Sequence, residues 1–436
     1  MLFRQFVDDD LGCASYLVGD EQAGVAVVVD PAHAIEQYLD EAARRDVRLV
    51  GVLETHTHAD HVSGHGRLAL EHGLPVRVHV AAGATFPCEP LEDGTEIALG
   101  DVVLRTLHTP GHRPEHCAFA VIDRSRGDEP WLVLTGDSLF VGDAARPDLA
   151  IEALDGAEGL FHSLRALVAL GDGVEVYPGH VAGSLCGAAM SSKASTTIGF
   201  ERRFNHALTS NHDDFLAAAA GPQPPRPPNM ERIVELNRGP FLGAGQPLAR
   251  LDAVPENAVL LDVRPVQAFG AGHRPGAVNV PVSGSSFGTK AAFVLAEGPL
   301  VLEATDEAEA QRAARALRAV GLLELAGWRL GGGEERLEPI GLDEAQRLLA
   351  SGEADVVDVR EADERHGSVV PGTRHLPYRL ARSAAEEGRF DGRLVVTVCE
   401  TGPRAAVAAS VLQAAGVNAR PVLDGGVATW RRVAAS

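Results

Sequence analysis

Short runs of apolar residues, each bounded by polar or turn-forming residues, recur along the first part of the chain. Runs of this length predict buried β-strands, and two longer stretches predict helices. The predicted strands are Val25–Val29, Arg48–Leu53, 76–80, 102–107, 117–122 and 131–134, and the predicted helices are 34–45 and 156–170. This alternation predicts a mixed α/β domain over residues 1–220.

A proline-rich stretch follows this domain. Residues 221–229 contain five prolines in nine positions. Proline lacks a backbone N–H and has a fixed φ, so this stretch can form neither a helix nor a central strand. We therefore predict a Pro-rich linker over residues 221–244.

The last part of the chain contains an internal repeat. Three motifs recur at one spacing, which is 358 − 262 = 96 residues. They are Leu261-Asp262-Val263-Arg264 with Val357-Asp358-Val359-Arg360, Pro275-Gly276 with Pro371-Gly372, and Pro281 with Pro377. A repeat of this length, with strands and helices alternating in each copy, predicts two homologous α/β domains with parallel sheets. We place them at 245–333 and 338–436.

The balance of charges excludes several classes of partner. Lys and Arg number 39 against 60 Asp and Glu, so the formal net charge is −21. Such a chain repels nucleic acid and anionic membrane surfaces, so we expect neither as a partner. The N-terminal residues do not resemble a signal peptide, and the five cysteines are too dispersed for a disulfide framework. We expect a cytoplasmic protein.

The first candidate site is a set of His and Asp residues that follow predicted strands. His56, His58, Asp60 and His61 come directly after the strand Arg48–Leu53, and His112, Asp137 and His180 each follow another strand beside Gly or Pro. Residues at the carboxyl ends of strands face an open crevice, where ligands bind in α/β folds. Imidazole and carboxylate groups suit zinc and iron, so the set predicts a catalytic metal centre.

The order of these residues resembles the metallo-β-lactamase superfamily over about residues 1–210. The resemblance implies an αββα sandwich with the metal at its edge. In the superfamily's arrangement for two zinc ions, His56, His58 and His112 bind one ion, Asp60, His61 and His180 bind the other, and Asp137 bridges them. A zinc thioester hydrolase of the glyoxalase II kind uses the residues in this way.

Persulfide dioxygenases, a branch of the same superfamily, keep these seven residues but hold one Fe(II) per chain. The resemblance implies that His56, His112 and Asp137 are the iron ligands, in a set whose open positions admit O₂ and substrate. His58, Asp60, His61 and His180 then orient ligands and water. The residues are the same in both arrangements, so one Fe(II) and two Zn(II) both stay open at this point.

The second candidate site is Cys399, which ends a predicted strand and precedes Glu400, Thr401, Gly402, Pro403 and Arg404. Backbone N–H groups and the dipole of the following helix stabilise a thiolate and bound anions. Arg404 adds positive charge. The loop and its flanking motifs resemble those of rhodaneses, which implies that Cys399 carries a persulfide sulfur and that Arg404 assists it.

The first copy of the repeat differs at this loop. With the spacing of 96 residues, Cys399 aligns with Glu303 (399 − 96), in a segment without a thiol or an arginine. We expect this copy to be an inactive rhodanese-like domain that serves as a spacer or as a surface for assembly. A homo-oligomer is the assembly we expect.

Two further cysteines are candidate sulfur relays. Cys186 follows His180 by six residues, and Cys13 precedes the strand 14–18. Persulfide dioxygenases fused to rhodaneses are similar at both places. A plain packing role is the alternative for each, because free cysteines are often buried and inert.

Together these motifs are similar to a persulfide dioxygenase–rhodanese fusion with two rhodanese domains, the first inactive. The resemblance implies that O₂ oxidises a low-molecular-weight thiol persulfide to sulfite, and that Cys399 passes sulfur to sulfite to give thiosulfate. The alternatives are a zinc thioester hydrolase and a sulfurtransferase whose N-terminal domain is not catalytic. The thiol that carries the persulfide is not determined by the sequence.

Overall fold

The computed structural model describes residues 1–181, 191–221, 223, 225–366 and 368–434. The chain forms two compact units. The first consists of Met1–Gly245 with Arg318–Gly321, and the second of Gln246–Leu317 with Leu322–Ser436.

Two six-stranded sheets form the centre of the first unit. The first sheet has β1 (Leu2–Val7), β2 (Ala14–Asp20), β3 (Val25–Val29), β4 (Arg48–Leu53), β5 (Val76–His79) and β6 (Glu89–Leu91), in that spatial order. The second has β7 (Glu96–Leu99), β8 (Val102–His108), β9 (Cys117–Asp123), β10 (Pro130–Gly136), β11 (Glu175–Pro178) and β12 (Thr196–Thr197), also in chain order.

Helices cover the outer faces of these two sheets. They are α1 (Glu36–Arg44), α2 (His65–His72), α3 (Ala153–Val168), α4 (Ile198–Phe204), α5 (His206–Thr209), α6 (His212–Ala219) and α7 (Met230–Arg238). One apolar cluster lies between the sheets, a second packs the first sheet against α1 and α2, and a third packs the second sheet against α3 and α6. The layers therefore follow the predicted αββα order.

The sequence predicted some of these elements well. Strands β3 and β4 coincide with their predicted ranges, and β5, β8, β9, β10, α1 and α3 differ from theirs only at their ends. Helix α7 lies inside the segment 221–244, for which the proline content predicts a linker without a helix. It forms because Met230 and Ile233, three residues apart, bury their side chains on one face.

The second unit contains two copies of one four-stranded parallel arrangement. The first copy has β13 (Val259–Asp262), β14 (Val278–Asn279), β15 (Leu300–Ala304) and β16 (Leu325–Leu330), with α8 (Val266–Ala271), α9 (Phe287–Val294) and α10 (Glu307–Ala319). The second has β17 (Ala354–Asp358), β18 (Arg374–His375), β19 (Leu394–Val398) and β20 (Ala419–Pro421), with α11 (Leu342–Ser351), α12 (Ala381–Glu386), α13 (Pro403–Ala414) and α14 (Val427–Ala434).

Both sheets place their strands in the same order, with the second strand outermost beside the first. The predicted repeat is thus a repeat of structure. The copies share one apolar core, and the hydroxyl of Ser410 on α13 accepts a hydrogen bond from the backbone N–H of Asn279 on β14 (3.0 Å). The second copy is flanked by α11 and α14, which have no counterpart in the described segments 246–258 and 331–341.

The sheet register corrects the alignment of Cys399. Asp262 on β13 pairs with Glu303, whereas the equivalent Asp358 on β17 pairs with Val398. Glu303 therefore corresponds to Val398, and Ala304 corresponds to Cys399. The alignment with Glu303 was wrong by one residue, because the segment that leads into β15 is one residue longer than the segment that leads into β19. The first copy still has no thiol at this position.

Glu303 occupies a position that is apolar in the second copy. Its carboxylate is fully buried and lies 2.6 Å from Nε of Arg274. Burial raises the pKa of Glu303 to about 7, although the charges of Arg274 and Arg329 oppose the shift. The first copy thus differs from the second in its buried charges as well as in its lack of a cysteine.

Candidate metal centre and cysteine loop

Three side chains from separate loops converge at the ends of β4, β8 and β10. The ligand atoms of His56, His112 and Asp137 all lie within 4.8 Å of one another, and all three side chains are buried. Nε2 of His112 is 3.7 Å from Oδ2 of Asp137. Nε2 of His56 and Oδ2 of Asp137 are buried and have no hydrogen-bond partner among the described residues. Buried polar atoms without partners are costly, and a metal ion would satisfy them.

Hydrogen bonds on the other ring nitrogens fix the orientation of both histidines. Nδ1 of His56 donates to Oγ1 of Thr55 (2.9 Å), whose hydroxyl donates in turn to Oδ2 of Asp30 (2.9 Å). Nδ1 of His112 donates to the backbone carbonyl of Arg146 (3.0 Å). Burial lowers the pKa of both histidines, which favours the neutral imidazoles that metals bind. The donor set and its tautomers fit a divalent metal.

Two glycines allow these loops to approach one another. Gly136, before Asp137, has φ of +46°, and a Cβ there would collide with side-chain atoms of Thr55 and His116. A Cβ on Gly179 would collide with Oδ1 of Asp137. Only glycine fits at these two positions.

His180 connects the carboxylates of Asp137 and Asp60. Its Nδ1 is 2.9 Å from Oδ1 of Asp137, and its Nε2 is 2.8 Å from Oδ2 of Asp60. Burial alone would lower the pKa of His180, but the charges of Asp137 and Asp60 outweigh it and raise the pKa well above its usual value. In this arrangement His180 holds a proton between two carboxylates.

Cys13 lies beside residues that the two-zinc arrangement assigns to the second ion, which are Asp60, His61 and His180. Its Sγ donates to Oδ2 of Asp60 (3.1 Å) and is 3.4 Å from Nε2 of His180. Cys13, Asp60 and His61 form a second group whose ligand atoms lie within 4.8 Å of one another. Cys186, the other candidate relay, lies outside the described residues.

His58 belongs to a third group. Its Nε2 is 3.3 Å from Oδ1 of Asp30 and 3.1 Å from Oε2 of Glu54. These carboxylates overcome the effects of burial and of the charge on His61, and they raise the pKa of His58 to about 9. The His58 ring packs 4.2 Å from that of His56, yet its nitrogens are not in the group formed by His56, His112 and Asp137.

Two supporting residues were not identified from the sequence. His116 accepts a hydrogen bond from the backbone N–H of Asp137 at Nε2 (3.0 Å) and bonds Oγ1 of Thr109 through Nδ1 (2.8 Å). Asn237, on α7, donates to the carbonyls of His58 (3.0 Å) and His61 (2.8 Å). His116 lies only four residues after His112, but nothing local marks Asn237, which is 179 residues from His58.

The second site is the loop between β19 and α13. Cys399 is buried, and its Sγ accepts a hydrogen bond from the backbone N–H of Gly402 (3.1 Å). Helix α13 begins at Pro403, so its N-terminus lies beside the sulfur. Burial alone would lower the pKa of Arg404, but the hydrogen bonds and the charge of Glu364 outweigh it and raise the pKa.

Carboxylates neutralise the arginines around this loop. The guanidinium of Arg404 donates to both oxygens of Glu364 (2.5 and 2.7 Å). Arg360, on the loop after β17, donates to Asp358 (2.8 and 3.0 Å) and to Glu400 (3.0 Å). Glu364 and Arg360 were not predicted as site residues.

None of the helices in the described ranges is both long and apolar enough to cross a lipid bilayer.

Comparisons with known proteins match two segments of the chain to families. Residues 8–180 match the Metallo-beta-lactamase superfamily, and residues 341–432 match the Rhodanese-like domain. The persulfide dioxygenase ETHE1 of Bos taurus mitochondria is 30% identical over 247 residues, which cover 54% of this chain and 87% of that protein. The human protein of the same name is 29% identical over 247 residues, with the same coverage.

A solved structure extends the similarity beyond the first unit. The crystal structure of a metallo-beta-lactamase from Staphylococcus aureus is 29% identical and has a TM-score of 0.70. The similarity covers 76% of this chain and 99% of that one. The similarity to this structure therefore covers more of the chain than the superfamily match over residues 8–180.

Proposed function

The chain belongs to the metallo-β-lactamase superfamily and carries a C-terminal rhodanese-like domain, and on that premise we propose that it is an Fe(II) persulfide dioxygenase coupled to sulfur transfer. Its substrate is the persulfide of a low-molecular-weight thiol, which O₂ and water convert to sulfite and the free thiol. Cys399 then transfers sulfane sulfur to sulfite to form thiosulfate. The relatives named as persulfide dioxygenases support the first reaction.

One observation carries this proposal: the convergence of His56, His112 and Asp137, whose buried atoms include two without a partner among the described residues. Two imidazoles and one carboxylate form the set typical of Fe(II) oxygenases. When bound there, Fe(II) supplies open coordination positions for O₂ and for the terminal sulfur of the substrate. His58 lies in a separate group with Asp30 and Glu54, which supports three protein ligands rather than four.

The surrounding residues orient the ligands and hold protons. His180 keeps Asp137 in position through the bond between its Nδ1 and Oδ1 of that carboxylate. Its Nε2 holds a proton that faces Oδ2 of Asp60. The leaving thiolate needs a proton, and His180 is the group that we assign to supply it. Cys13 lies beside Nε2 of His180, where we propose that it receives or relays sulfane sulfur.

The second reaction moves sulfur without net oxidation. The Cys399 thiolate attacks the outer sulfur of a persulfide, the old S–S bond breaks, and the released thiolate takes a proton. Sulfite then attacks the outer sulfur on Cys399, and the electron pair of the broken S–S bond returns to Sγ. Oxidation of one persulfide supplies the sulfite and a second persulfide supplies the sulfane sulfur, so each thiosulfate requires one O₂.

A second candidate function rests on the group formed by Cys13, Asp60 and His61. This group could hold another ion, as a zinc thioester hydrolase of the glyoxalase II kind would require. The rhodanese-like domain argues against it, because sulfur transfer has no role in thioester hydrolysis. Sulfur transfer with a non-catalytic first unit is a third candidate.

Two variants separate the two reactions of the proposal. His112→Ala removes a metal ligand and should lower O₂ uptake with glutathione persulfide at least about a hundredfold. It should leave the transfer of sulfur from thiosulfate to cyanide intact. Cys399→Ser should do the reverse, with O₂ uptake unchanged and sulfite accumulating in place of thiosulfate.

The exposed Cys88 provides the matched control, since Cys88→Ser should change neither reaction. Thiosulfate formation from persulfide alone by His112→Ala would show that the first unit is not catalytic. Loss of O₂ uptake in Cys399→Ser would contradict the division of the two reactions.

A further inference from the structure

Arg404 is not free to bind an anion. Both oxygens of Glu364 accept hydrogen bonds from its two terminal nitrogens, at 2.5 and 2.7 Å. This is the bidentate geometry in which a guanidinium binds carboxylates and oxyanions most strongly. The pair is only partly exposed, with 23% of the Arg404 side chain and 32% of the Glu364 side chain accessible. The contact is therefore screened less than one on an open surface.

The carboxylate of Glu364 is held in place for this contact. Glu364 lies in the helical turn Asp363–Arg365, which follows β17. Its Oε2 also accepts a hydrogen bond from the backbone N–H of Glu361 (2.9 Å). Burial would raise the pKa of Glu364, but the hydrogen bond from Arg404 outweighs it and lowers the pKa. Glu364 is therefore negatively charged at neutral pH.

The neighbouring cations are paired as well. Arg360 binds Asp358 and Glu400, and Arg379 binds both oxygens of Glu361 (3.2 Å each). An anion that approaches Cys399 thus meets arginines whose charge is already balanced. Sulfite and thiosulfate are dianionic oxyanions, and they require the same donors that Glu364 occupies.

We infer that the Glu364 carboxylate competes with the anionic substrate for Arg404. In the resting state Glu364 binds Arg404, and sulfite displaces it when it binds. This inference rests on the proposed function and assigns a specificity-determining residue to its second reaction. Sulfite displaces the Glu364 carboxylate from Arg404 and attacks the outer sulfur of the Cys399 persulfide. Thiosulfate forms as the S–S bond to Sγ breaks, and Glu364 binds Arg404 again as the product leaves. The competition weakens sulfite binding and speeds product release.

The test measures thiosulfate formation by the full-length protein at saturating glutathione persulfide and varied sulfite, under anaerobic conditions. Glu364→Gln removes the competing charge and keeps the size of the side chain. It should lower KM for sulfite by about fivefold to tenfold, since a partly buried ion pair contributes on the order of 1 kcal/mol. Because product release slows, kcat should fall or stay constant. Glu364→Asp keeps the charge on a shorter side chain and should give an intermediate KM.

Glu361→Gln is the matched control. It removes the same charge from the same loop, but Glu361 binds Arg379 and not Arg404. Its KM for sulfite should stay within about twofold of the wild-type value, as expected for a screened charge. An equal decrease in both variants would show a general effect of charge and overturn the inference. An unchanged KM in Glu364→Gln would also overturn it.

A binding measurement keeps this inference separate from the proposed function. Inorganic sulfate has the charge and shape of the substrate oxyanions but does not react, and its binding should slow the alkylation of Cys399 by iodoacetamide. Half-protection should occur at about fivefold lower sulfate in Glu364→Gln than in the wild type. If the wild type forms no thiosulfate, the proposed function fails while this measurement still decides the inference. Equal protection in both proteins would overturn it.

Discussion

Hydrogen bonds on the second ring nitrogen determine which nitrogen of each histidine faces the candidate metal. Oγ1 of Thr55 accepts a hydrogen bond from Nδ1 of His56 and donates one to Oδ2 of Asp30. This chain of bonds leaves Nε2 of His56 as an acceptor at the site. Such outer contacts contribute to metal affinity because they fix the tautomer and the ring orientation before the metal binds.

Replacement of the Thr55 hydroxyl tests this effect. Thr55→Val keeps the shape of the side chain but removes the acceptor for His56 Nδ1, so it should weaken Fe(II) binding by about tenfold to a hundredfold. Anaerobic titration of the metal-free protein with Fe(II) measures the change. Thr106→Val is the matched control, because the Thr106 hydroxyl is buried on β8 without a hydrogen-bond partner in the part of the chain that the structure describes. Equal affinities in the two variants would exclude a role for the Thr55 hydroxyl.

At the scale of elements, helix α7 completes the metal loop. Asn237 donates to the carbonyls of His58 and His61, and its Oδ1 accepts a hydrogen bond from the backbone N–H of Ser63 (2.8 Å). One side chain therefore satisfies three buried backbone groups of the loop after β4. The segment beyond the Pro-rich stretch is part of the first unit.

Removal of these bonds should loosen the loop. Asn237→Leu has a similar volume but leaves three buried backbone groups without partners, at about 1–3 kcal/mol for each group. We expect a lower thermal midpoint for the first unit and weaker Fe(II) binding, measured by calorimetry and by metal titration. Glu235→Leu adds the same side chain at an exposed position of α7 and should change neither quantity. If the two variants behave alike, Asn237 does not support the loop.

At the scale of the whole molecule, the sequence predicted strands and loops that depend on the local pattern of apolar and polar residues. The strands before His56, His112 and Asp137 are apolar runs, so each of these strands and the loop after it could be predicted from local pattern. That the three side chains meet depends on sheet order, which came only from the family resemblance. Contacts over long sequence separations, such as Glu364 with Arg404, leave no periodic signal.

The one-residue error at Glu303 has the same origin. A constant spacing of 96 residues holds between β13 and β17 but not between β15 and β19, because a residue is missing from one connecting segment. Side chains alternate along a strand, so a shift of one residue moves a position to the opposite face of the sheet. Only the pairing of strands shows that Ala304, and not Glu303, stands where the second copy has Cys399.

The central claim is that the first unit holds one Fe(II) and uses O₂. The most direct test quantifies iron and zinc in the purified full-length protein and measures O₂ uptake when glutathione persulfide is added. Our account predicts about one iron per chain, little zinc, and O₂ uptake in proportion to the persulfide oxidised. About two zinc ions per chain, with no O₂ uptake on addition of persulfide, would contradict it and favour the thioester hydrolase.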